Sequence, residues 1–175
     1  MAFQCTMQAF KLKKGQRLNP SAIGFIESLG IQKVKVTRLP VVSIIVTGNE
    51  FMNKGGKISP GKIFESNGVM LQSLLHHLNI KSQFHPVVDN KIKLKNEVER
   101  ELDKNDVIII SGGVSEGKYD FTKIVLEELG CKILFHKLTQ KPGKPLLLAS
   151  KENKYIFGLP GNPRAVLTCF YEYVY

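Results

Sequence analysis

Two short runs of β-branched and other apolar residues, at positions 41–47 and 107–110, constrain the fold of this chain more than any other feature. A strand with one face in water would alternate apolar and polar positions, whereas these runs are nearly all apolar. They therefore predict strands that are covered on both faces. Strands of that kind are typical of parallel sheets flanked by helices.

From residue 41 onward, such runs alternate with segments of helical spacing. Helices are predicted over residues 66–78, 94–103 and 121–129 and from Pro163 onward, and further strands near residues 83–88, 131–138, 145–149 and 155–157. Gly130 is typical of a helix end and Asn162 of a helix N-cap. This alternation predicts an α/β fold with βαβ units: a three-layer αβα arrangement with a mostly parallel sheet.

Residues 1–40 do not follow this alternation. They predict a short strand, a helix around residues 21–29 and a basic, β-rich stretch that ends at Pro40. We therefore interpret residues 1–40 as a short N-terminal flank and residues 41–175 as the α/β domain.

Composition argues against several classes of protein. The longest uncharged apolar run, residues 41–46, is far shorter than the roughly 20 residues that span a bilayer. No charged segment followed by an apolar one marks a secretion signal. The three cysteines lack C-x-x-C spacing, which argues against a disulfide framework or a zinc cluster and favours a reducing compartment. We expect a cytoplasmic protein that does not bind membranes.

The charge of the chain is +10, and it is unevenly distributed. Residues 1–40 hold seven basic residues and one acidic residue, a net charge of +6, and residues 41–175 hold 18 basic and 14 acidic residues, a net charge of +4. A basic balance suits nucleic acid, an anionic membrane or a phosphorylated small molecule. Nucleic acid is suggested by charge alone, because the chain has neither aromatic stacking motifs nor a recognition helix.

Four loops that follow predicted strands carry unusual residues, at positions 47–50, 88–90, 111–120 and 159–163. Ligands of open α/β sheets bind beyond the carboxyl ends of the strands, so these loops are expected to form a site. In the third loop, Gly112 and Gly113 let the backbone approach an anion, and Ser111 and Ser115 add hydroxyls. The alternative is a tight turn in which Asp120 caps the next helix.

The remaining candidate residues also allow two interpretations. Gly161 precedes a helix start that suits an anion, but Asn-Pro is an ordinary way to begin a helix. Lys137, Lys141 and Lys144 belong to a proline-stiffened loop that either faces an oxyanion or is simply solvated. Carboxylates are the ligands that Mg²⁺ prefers, yet each acid of these loops also suits a cap or a turn. The acids are Glu50, Asp89 and Asp120.

Taken in order, the motifs of these loops resemble the molybdopterin molybdenumtransferase family, of the MoeA and gephyrin E-domain type. The motifs are T-G-N-E, S-N before a helix, V-V-D-N, S-G-G-V-S-E-G-K-Y-D, K-P-G-K-P and L-P-G-N-P. Each is weak alone, but six in order are specific. The resemblance covers the whole chain: residues 41–175 resemble the family's molybdopterin-binding domain, and residues 1–40 resemble the end of the domains that precede it.

This resemblance implies a role in molybdenum cofactor synthesis: molybdate is inserted into the dithiolene of adenylylated molybdopterin, with Mg²⁺ and release of AMP. It implies catalytic roles for Asp89, Asp120, Lys141 and Lys144, and metal binding by the two aspartates. It further implies that the substrate is held by Thr47, Gly48, Glu50, Ser111, Gly112, Gly113, Ser115, Gly117, Lys137, Pro142, Gly143, Pro160, Gly161 and Asn162. The implied partners are the phosphorylated pterin, the adenylyltransferase of the same pathway and further copies of the chain, without nucleic acid or membrane.

The chain departs from the family in two respects. Asn49 stands where the commoner motif, T-G-D-E, has an aspartate. Members of the family also carry further domains, for which 175 residues leave no room. We therefore expect a fragment that binds molybdopterin, and we expect complete catalysis to need the other domains.

Three relatives of the same fold are the alternatives. A molybdopterin adenylyltransferase of the MogA type would have G-G-T-G where this chain has Ser111–Ser115. A competence-damage-inducible protein would have G-G-L-G-P-T followed by paired aspartates. The third alternative is a non-catalytic scaffold that keeps the fold.

Overall fold

The computed structural model describes residues 12–52, 55, 59–113 and 121–175. The chain divides into two compact units, Met1–Arg38 and Leu39–Tyr175. In the first unit, helix α1 (Pro20–Ser28) begins with proline, and the Asn19 side chain accepts a hydrogen bond from the Ala22 N–H at 2.8 Å. This helix confirms the one predicted around residues 21–29.

The β-rich stretch predicted to end at Pro40 is wrong, because residues 31–40 form no strand. Val34 and Val36 alternate with lysines, which favours a strand, but both valines are exposed. Preference for a strand depends on packing against neighbouring strands, and these residues pair with no strand in the part of the chain that the structure describes.

Within the described residues, the second unit contains eight strands and four α-helices. The strands are β1 (Val42–Thr47), β2 (Phe51–Met52), β3 (Ile63–Phe64), β4 (Ser82–Val87), β5 (Val107–Ser111), β6 (Lys132–His136), β7 (Leu147–Lys151) and β8 (Lys154–Leu159). The helices of this unit are α2 (Asn67–His77), α3 (Lys91–Lys104), α4 (Phe121–Glu128) and α5 (Pro163–Cys169). A π-helical segment, Phe170–Val174, continues α5.

Six of these strands form the main sheet, in the order β4-β1-β5-β8-β7-β6. The neighbours among β4, β1, β5 and β8 pair in parallel, whereas β7 is antiparallel to both β8 and β6. The sheet is therefore mostly parallel, as predicted.

Two hydrophobic clusters cover the two faces of the sheet. One joins Ile45 and Ile108 to the buried faces of α3 and α4. The other joins Ile44 and Ile109 to the buried faces of α2 and α5. Alternate residues of the same strand thus enter different cores, which explains why β1 and β5 are apolar throughout. The three-layer αβα fold predicted from the sequence is confirmed.

The helices that follow the two central strands lie on opposite faces of the sheet. β1 leads to α2 on one face, and β5, its parallel neighbour, leads to α4 on the other. Where the connections of adjacent strands diverge in this way, a crevice opens beyond their carboxyl ends. The fold thus places a crevice beside Thr47 and Ser111.

The segment between β1 and α2, predicted as a plain loop, contains a small sheet. β2 and β3 pair in parallel, with Phe51 opposite Ile63 and Met52 opposite Phe64. The Lys62 ammonium donates to the Asn49 carbonyl oxygen at 2.7 Å and holds the same two segments together. Strands of two residues are too short to show the alternation that predicts a strand.

Both edges of the main sheet carry an irregularity. At one edge, β4 contains Pro86, which lies opposite Val46 of β1. At the other edge, the pairing of β6 with β7 shifts register between Ile133 and Phe135. None of the described helices has the length and apolar character needed to cross a membrane.

The two cysteines within the described residues belong to the core. Cys131 and Cys169 are buried, one in each hydrophobic cluster. Burial raises the pKa of both thiols. Because the thiolate is the nucleophilic form, we interpret both side chains as packing residues.

Candidate functional site

A cleft of about 390 Å³ opens at the carboxyl ends of β1, β5 and β8. It lies where a crevice is expected, because the helices that follow β1 and β5 lie on opposite faces of the sheet. Ten residues predicted to form the site share its wall. They are Thr47, Gly48, Glu50, Asp89, Ser111, Gly112, Gly113, Pro160, Gly161 and Asn162.

Gly112 and Gly113 form the floor of this cleft in a conformation that favours glycine. Their φ angles are +90° and +65°. A Cβ atom on Gly112 would lie 2.4 Å from the Thr47 carbonyl oxygen, so no other residue fits there without moving the backbone. The Gly112 N–H donates to the Leu159 carbonyl oxygen at 3.2 Å. Gly112 therefore joins the ends of β1, β5 and β8.

Two buried hydroxyls flank Gly113. The side-chain oxygens of Thr47 and Thr122 each lie 3.0 Å from the place where a Cβ atom of Gly113 would stand. Neither oxygen has a hydrogen-bond partner among the described residues. Buried polar atoms are rarely left unpaired, so this arrangement points to a bound polar group. The site predicted from the sequence does not include Thr122, because no motif in the neighbouring residues identifies it as a site residue.

Asn67, the first residue of α2, ties two walls of the cleft together. Its side-chain N–H₂ donates to Ser111 Oγ at 3.0 Å and to the Gly161 carbonyl oxygen at 2.8 Å. Ser111 Oγ in turn lies 3.5 Å from the Pro160 carbonyl oxygen. Sequence reasoning placed Asn67 only at a helix start, although the S-N motif already contained it.

Asn162 performs the capping role that the sequence allowed. Its side-chain oxygen accepts hydrogen bonds from the N–H groups of Arg164 at 3.0 Å and Ala165 at 3.4 Å. Gly161, just before it, is exposed at the mouth of the cleft. The turn at Gly161 and Asn162 therefore both begins α5 and forms part of the cleft wall.

Glu50 and Asp89 are the charged side chains in the described wall of the cleft. Burial and, to a lesser extent, the neighbouring Glu50 carboxylate raise the pKa of Asp89. Asn49 approaches the same point, because its side-chain oxygen accepts from the Asp89 N–H at 3.0 Å. The cleft therefore concentrates negative charge at this end, and a cation there would relieve the repulsion.

We expect Glu50→Gln to lower the pKa of Asp89 only part of the way to its ordinary value, because burial is the larger cause of the shift.

A carboxyl whose pKa is raised by folding contributes stability below its unfolded pKa and loses it as the pH rises through its folded pKa. Asp89→Asn should therefore raise the free energy of unfolding at neutral pH and leave it unchanged at about pH 3.

Carbon-13 NMR titration of the Asp89 carboxyl and urea unfolding at both pH values would check these results. Glu99→Gln, at an exposed position of α3, is the matched control and should leave the Asp89 titration in place. An unchanged pKa in Glu50→Gln would contradict the coupling between the two acids.

The lysine loop reaches the cleft through Pro145, while its lysines stay outside the wall. Lys137, Lys141 and Lys144 are exposed. The Leu138 N–H donates to the Lys144 carbonyl oxygen at 2.8 Å, which closes the loop as an extension of β6 and β7. Five residues predicted for the site therefore lie outside the described wall: Lys137, Lys141, Pro142, Gly143 and Lys144. Three more, Ser115, Gly117 and Asp120, lie outside the described residues.

A larger groove of about 810 Å³ lies at the amino ends of β1 and β4. Its wall contains Glu101, and His85 Nε2 lies 3.5 Å from that carboxylate. Burial opposes ionisation of Glu101, but hydrogen bonds from neighbouring side chains and the nearby His85 together lower its pKa. Arg100 Nε lies 3.3 Å from the same carboxylate and balances its charge. His85 and Arg100 thus balance the charge of Glu101 within the domain.

Comparison with known proteins identifies the family of the chain. A family model described as "Probable molybdopterin binding domain" matches residues 43–175. A molybdopterin molybdenumtransferase of Staphylococcus epidermidis is 38% identical over 164 residues, which are 93% of this chain and 39% of that protein. The chain thus spans about two fifths of the length of the curated relatives it matches.

Solved structures give the same result. A molybdopterin biosynthesis MoeA protein of Pyrococcus horikoshii matches with a TM-score of 0.71 and 37% identity, over 91% of this chain and 40% of that one. A molybdopterin biosynthesis Mog protein of Mycobacterium ulcerans matches with a TM-score of 0.57 at 16% identity, over 78% of this chain and 95% of that one. At that identity the second likeness shows the fold alone.

Proposed function

Given that this chain belongs to the molybdopterin-binding domain family, we propose that it binds molybdopterin in the cleft at the ends of β1, β5 and β8, as part of molybdenum cofactor synthesis. The bound form that we propose is adenylylated molybdopterin, the substrate for molybdate insertion. The observation that carries the proposal is the meeting of Thr47, Gly113 and Gly161 in one cleft.

The chemistry of the cleft floor suits a phosphate group. The Gly113 N–H has no acceptor among the described residues, because the turn uses the Gly112 N–H instead. The hydroxyls of Thr47 and Thr122 stand on either side and can donate to the same oxygen atoms. Fixed donors around a glycine bind an anion without the cost of ordering long side chains.

Magnesium fits the other end of the cleft. Glu50 and Asp89 offer hard carboxylate oxygens. Burial, and to a lesser extent the Glu50 carboxylate, raise the pKa of Asp89, and a cation would offset both effects. These two residues would hold Mg²⁺ together with oxygen atoms of the ligand. When bound, the ion would screen the charge of the phosphates from the carboxylates. Asp120, the other aspartate of the proposal, belongs to the motif S-G-G-V-S-E-G-K-Y-D.

The transferase reaction is a proposal for the whole protein rather than for the cleft alone. Lys141 and Lys144 are exposed on a closed loop whose Pro145 contacts the cleft, a position from which they can attract an oxyanion such as molybdate. Asp89 is proposed to have a catalytic role at the end of the cleft that it shares with Glu50. The proposed assembly of copies and the adenylyltransferase partner follow from the family resemblance, and the proposed cytoplasmic location follows from the composition.

Incubating the chain with adenylylated molybdopterin, Mg²⁺ and molybdate, and measuring both bound pterin and released AMP, tests the proposal. We expect the chain to retain the pterin, and to retain less when Mg²⁺ is removed. AMP release that depends on molybdate would extend the proposal to catalysis by this chain. Consumption of ATP with unmodified molybdopterin would assign the adenylyltransferase reaction instead. A folded chain that binds no pterin would contradict the proposal.

Gly161→Ala locates the binding event within the cleft. A Cβ atom there would lie 3.9 Å from the Gly112 Cα, an ordinary contact, so the fold should tolerate it. The added methyl group narrows the cleft, and we expect pterin affinity to fall about tenfold. Gly24→Ala, on α1 with open space around it, is the matched control and should leave affinity unchanged.

A further inference from the structure

The side-chain oxygen of Asn67 is a buried acceptor without a donor. Asn67 is 6% exposed and belongs to the wall of the cleft. Its Oδ1 atom has no hydrogen-bond partner among the described residues, although its N–H₂ group has two. An unpaired buried oxygen is less stable than a paired one, so it calls for a donor from outside the chain.

The neighbours of Asn67 fix the orientation of its side-chain amide. The Gly161 carbonyl oxygen can only accept, so the amide must present its N–H₂ group to it. Rotating the amide by 180° would place two acceptor oxygens against each other at about 2.8 Å. The Ser111 hydroxyl then accepts from the same N–H₂ group and directs its own hydrogen towards the Pro160 carbonyl oxygen. The remaining group, Oδ1, is left for a ligand.

This acceptor differs in kind from the donors on the cleft floor. A phosphate at neutral pH offers oxygen atoms and gains nothing from a second oxygen, whereas a heterocycle with N–H groups pairs with one. We propose that Asn67 is a specificity-determining residue whose Oδ1 accepts a hydrogen bond from a ring or exocyclic N–H of the bound heterocycle. The inference rests on the proposed function, in which both the pterin and the adenine of the ligand carry such groups.

The test compares the wild-type chain with Asn67→Ala for three probes: molybdopterin, AMP and inorganic pyrophosphate. Loss of one ordinary hydrogen bond predicts that the variant binds a heterocyclic probe about tenfold more weakly. Pyrophosphate affinity should stay within about twofold, because that probe lacks an N–H group. A loss confined to molybdopterin places the pterin at Asn67, and a loss confined to AMP places the adenine there.

Ser111→Ala is the matched control for a merely structural role. It removes one partner of the Asn67 N–H₂ group and keeps Oδ1, so any loosening of the two loops should affect all three probes equally. If Asn67→Ala weakened pyrophosphate as much as the heterocycles, or weakened neither, the inference would be overturned. Failure of the wild-type chain to bind molybdopterin would instead overturn the proposed function.

A measurement on the wild-type chain makes the test independent of how the variant folds. The carbon-13 resonance of the Asn67 side-chain carbonyl should shift when molybdopterin or AMP binds, because its oxygen gains a donor. It should stay in place with saturating pyrophosphate. A resonance that no heterocycle moves would contradict the proposal even if Asn67→Ala proved unstable.

Discussion

Gly112→Ala should lower the free energy of unfolding by about 2–5 kcal/mol, the combined cost of a left-handed alanine and of overpacking. Gly112 has a φ angle of +90°, and its new Cβ atom would meet the Thr47 carbonyl oxygen at 2.4 Å. Backbone cannot move aside as a flexible side chain can, so the ends of β1 and β5 must separate. Urea unfolding would measure the loss, and pterin affinity should fall with it.

Gly130→Ala separates the two causes. Gly130 also has a positive φ angle, +74°, but a Cβ atom there meets nothing within 4 Å. This variant should lose only about 1–2 kcal/mol, the cost of the left-handed conformation alone. Equal losses in the two variants would show that contact with Thr47 contributes nothing.

Phe170→Ala should cost about 3–5 kcal/mol, the usual range for removing a buried phenylalanine. Phe170 is 1% exposed and packs in the same cluster as Leu159 and Val166, which flank the Gly161 turn. The cavity left behind would therefore lie in the cluster that these two residues share. Urea unfolding at neutral pH is the measurement.

Tyr171→Ala is the control for this prediction. Tyr171 follows Phe170 in the chain and touches its ring edge-on, with ring centroids 5.8 Å apart, but it is 56% exposed. Its loss should stay below about 1 kcal/mol, because little buried surface is removed. If the two variants proved equally unstable, the ring contact rather than burial would be responsible.

The fold could be predicted because its signals are local. The apolar runs of β1 and β5 and the helix starts at Asn67 and Pro163 each lie within a few neighbouring residues. The family resemblance drawn from six motifs is likewise confirmed by the relatives. The reversed direction of β7 was not predicted, because direction depends on pairing between strands rather than on composition.

The site could be predicted only in part, and Asn67 shows why. Its two hydrogen-bond partners lie 44 and 94 residues away in the chain, so no local pattern reveals them. Thr122 likewise gains its position beside Gly113 only when β5 and α4 are assembled. For the lysine loop, the sequence predicted stiffness but not the position of the side chains, and Lys141 and Lys144 are exposed and lie outside the described wall.

The irregular edges of the main sheet bear on how copies of this chain can associate. Proline has no N–H to offer a further strand, and within a sheet it is confined largely to edges such as that formed by β4. The register shift in β6 disturbs the opposite edge in a similar way. Growth of the sheet from one molecule into the next is therefore disfavoured at both ends. Association of copies would then use side-chain surfaces, which can form specific contacts. Backbone pairing between sheet edges, which can continue without limit and leads to fibrils, is disfavoured.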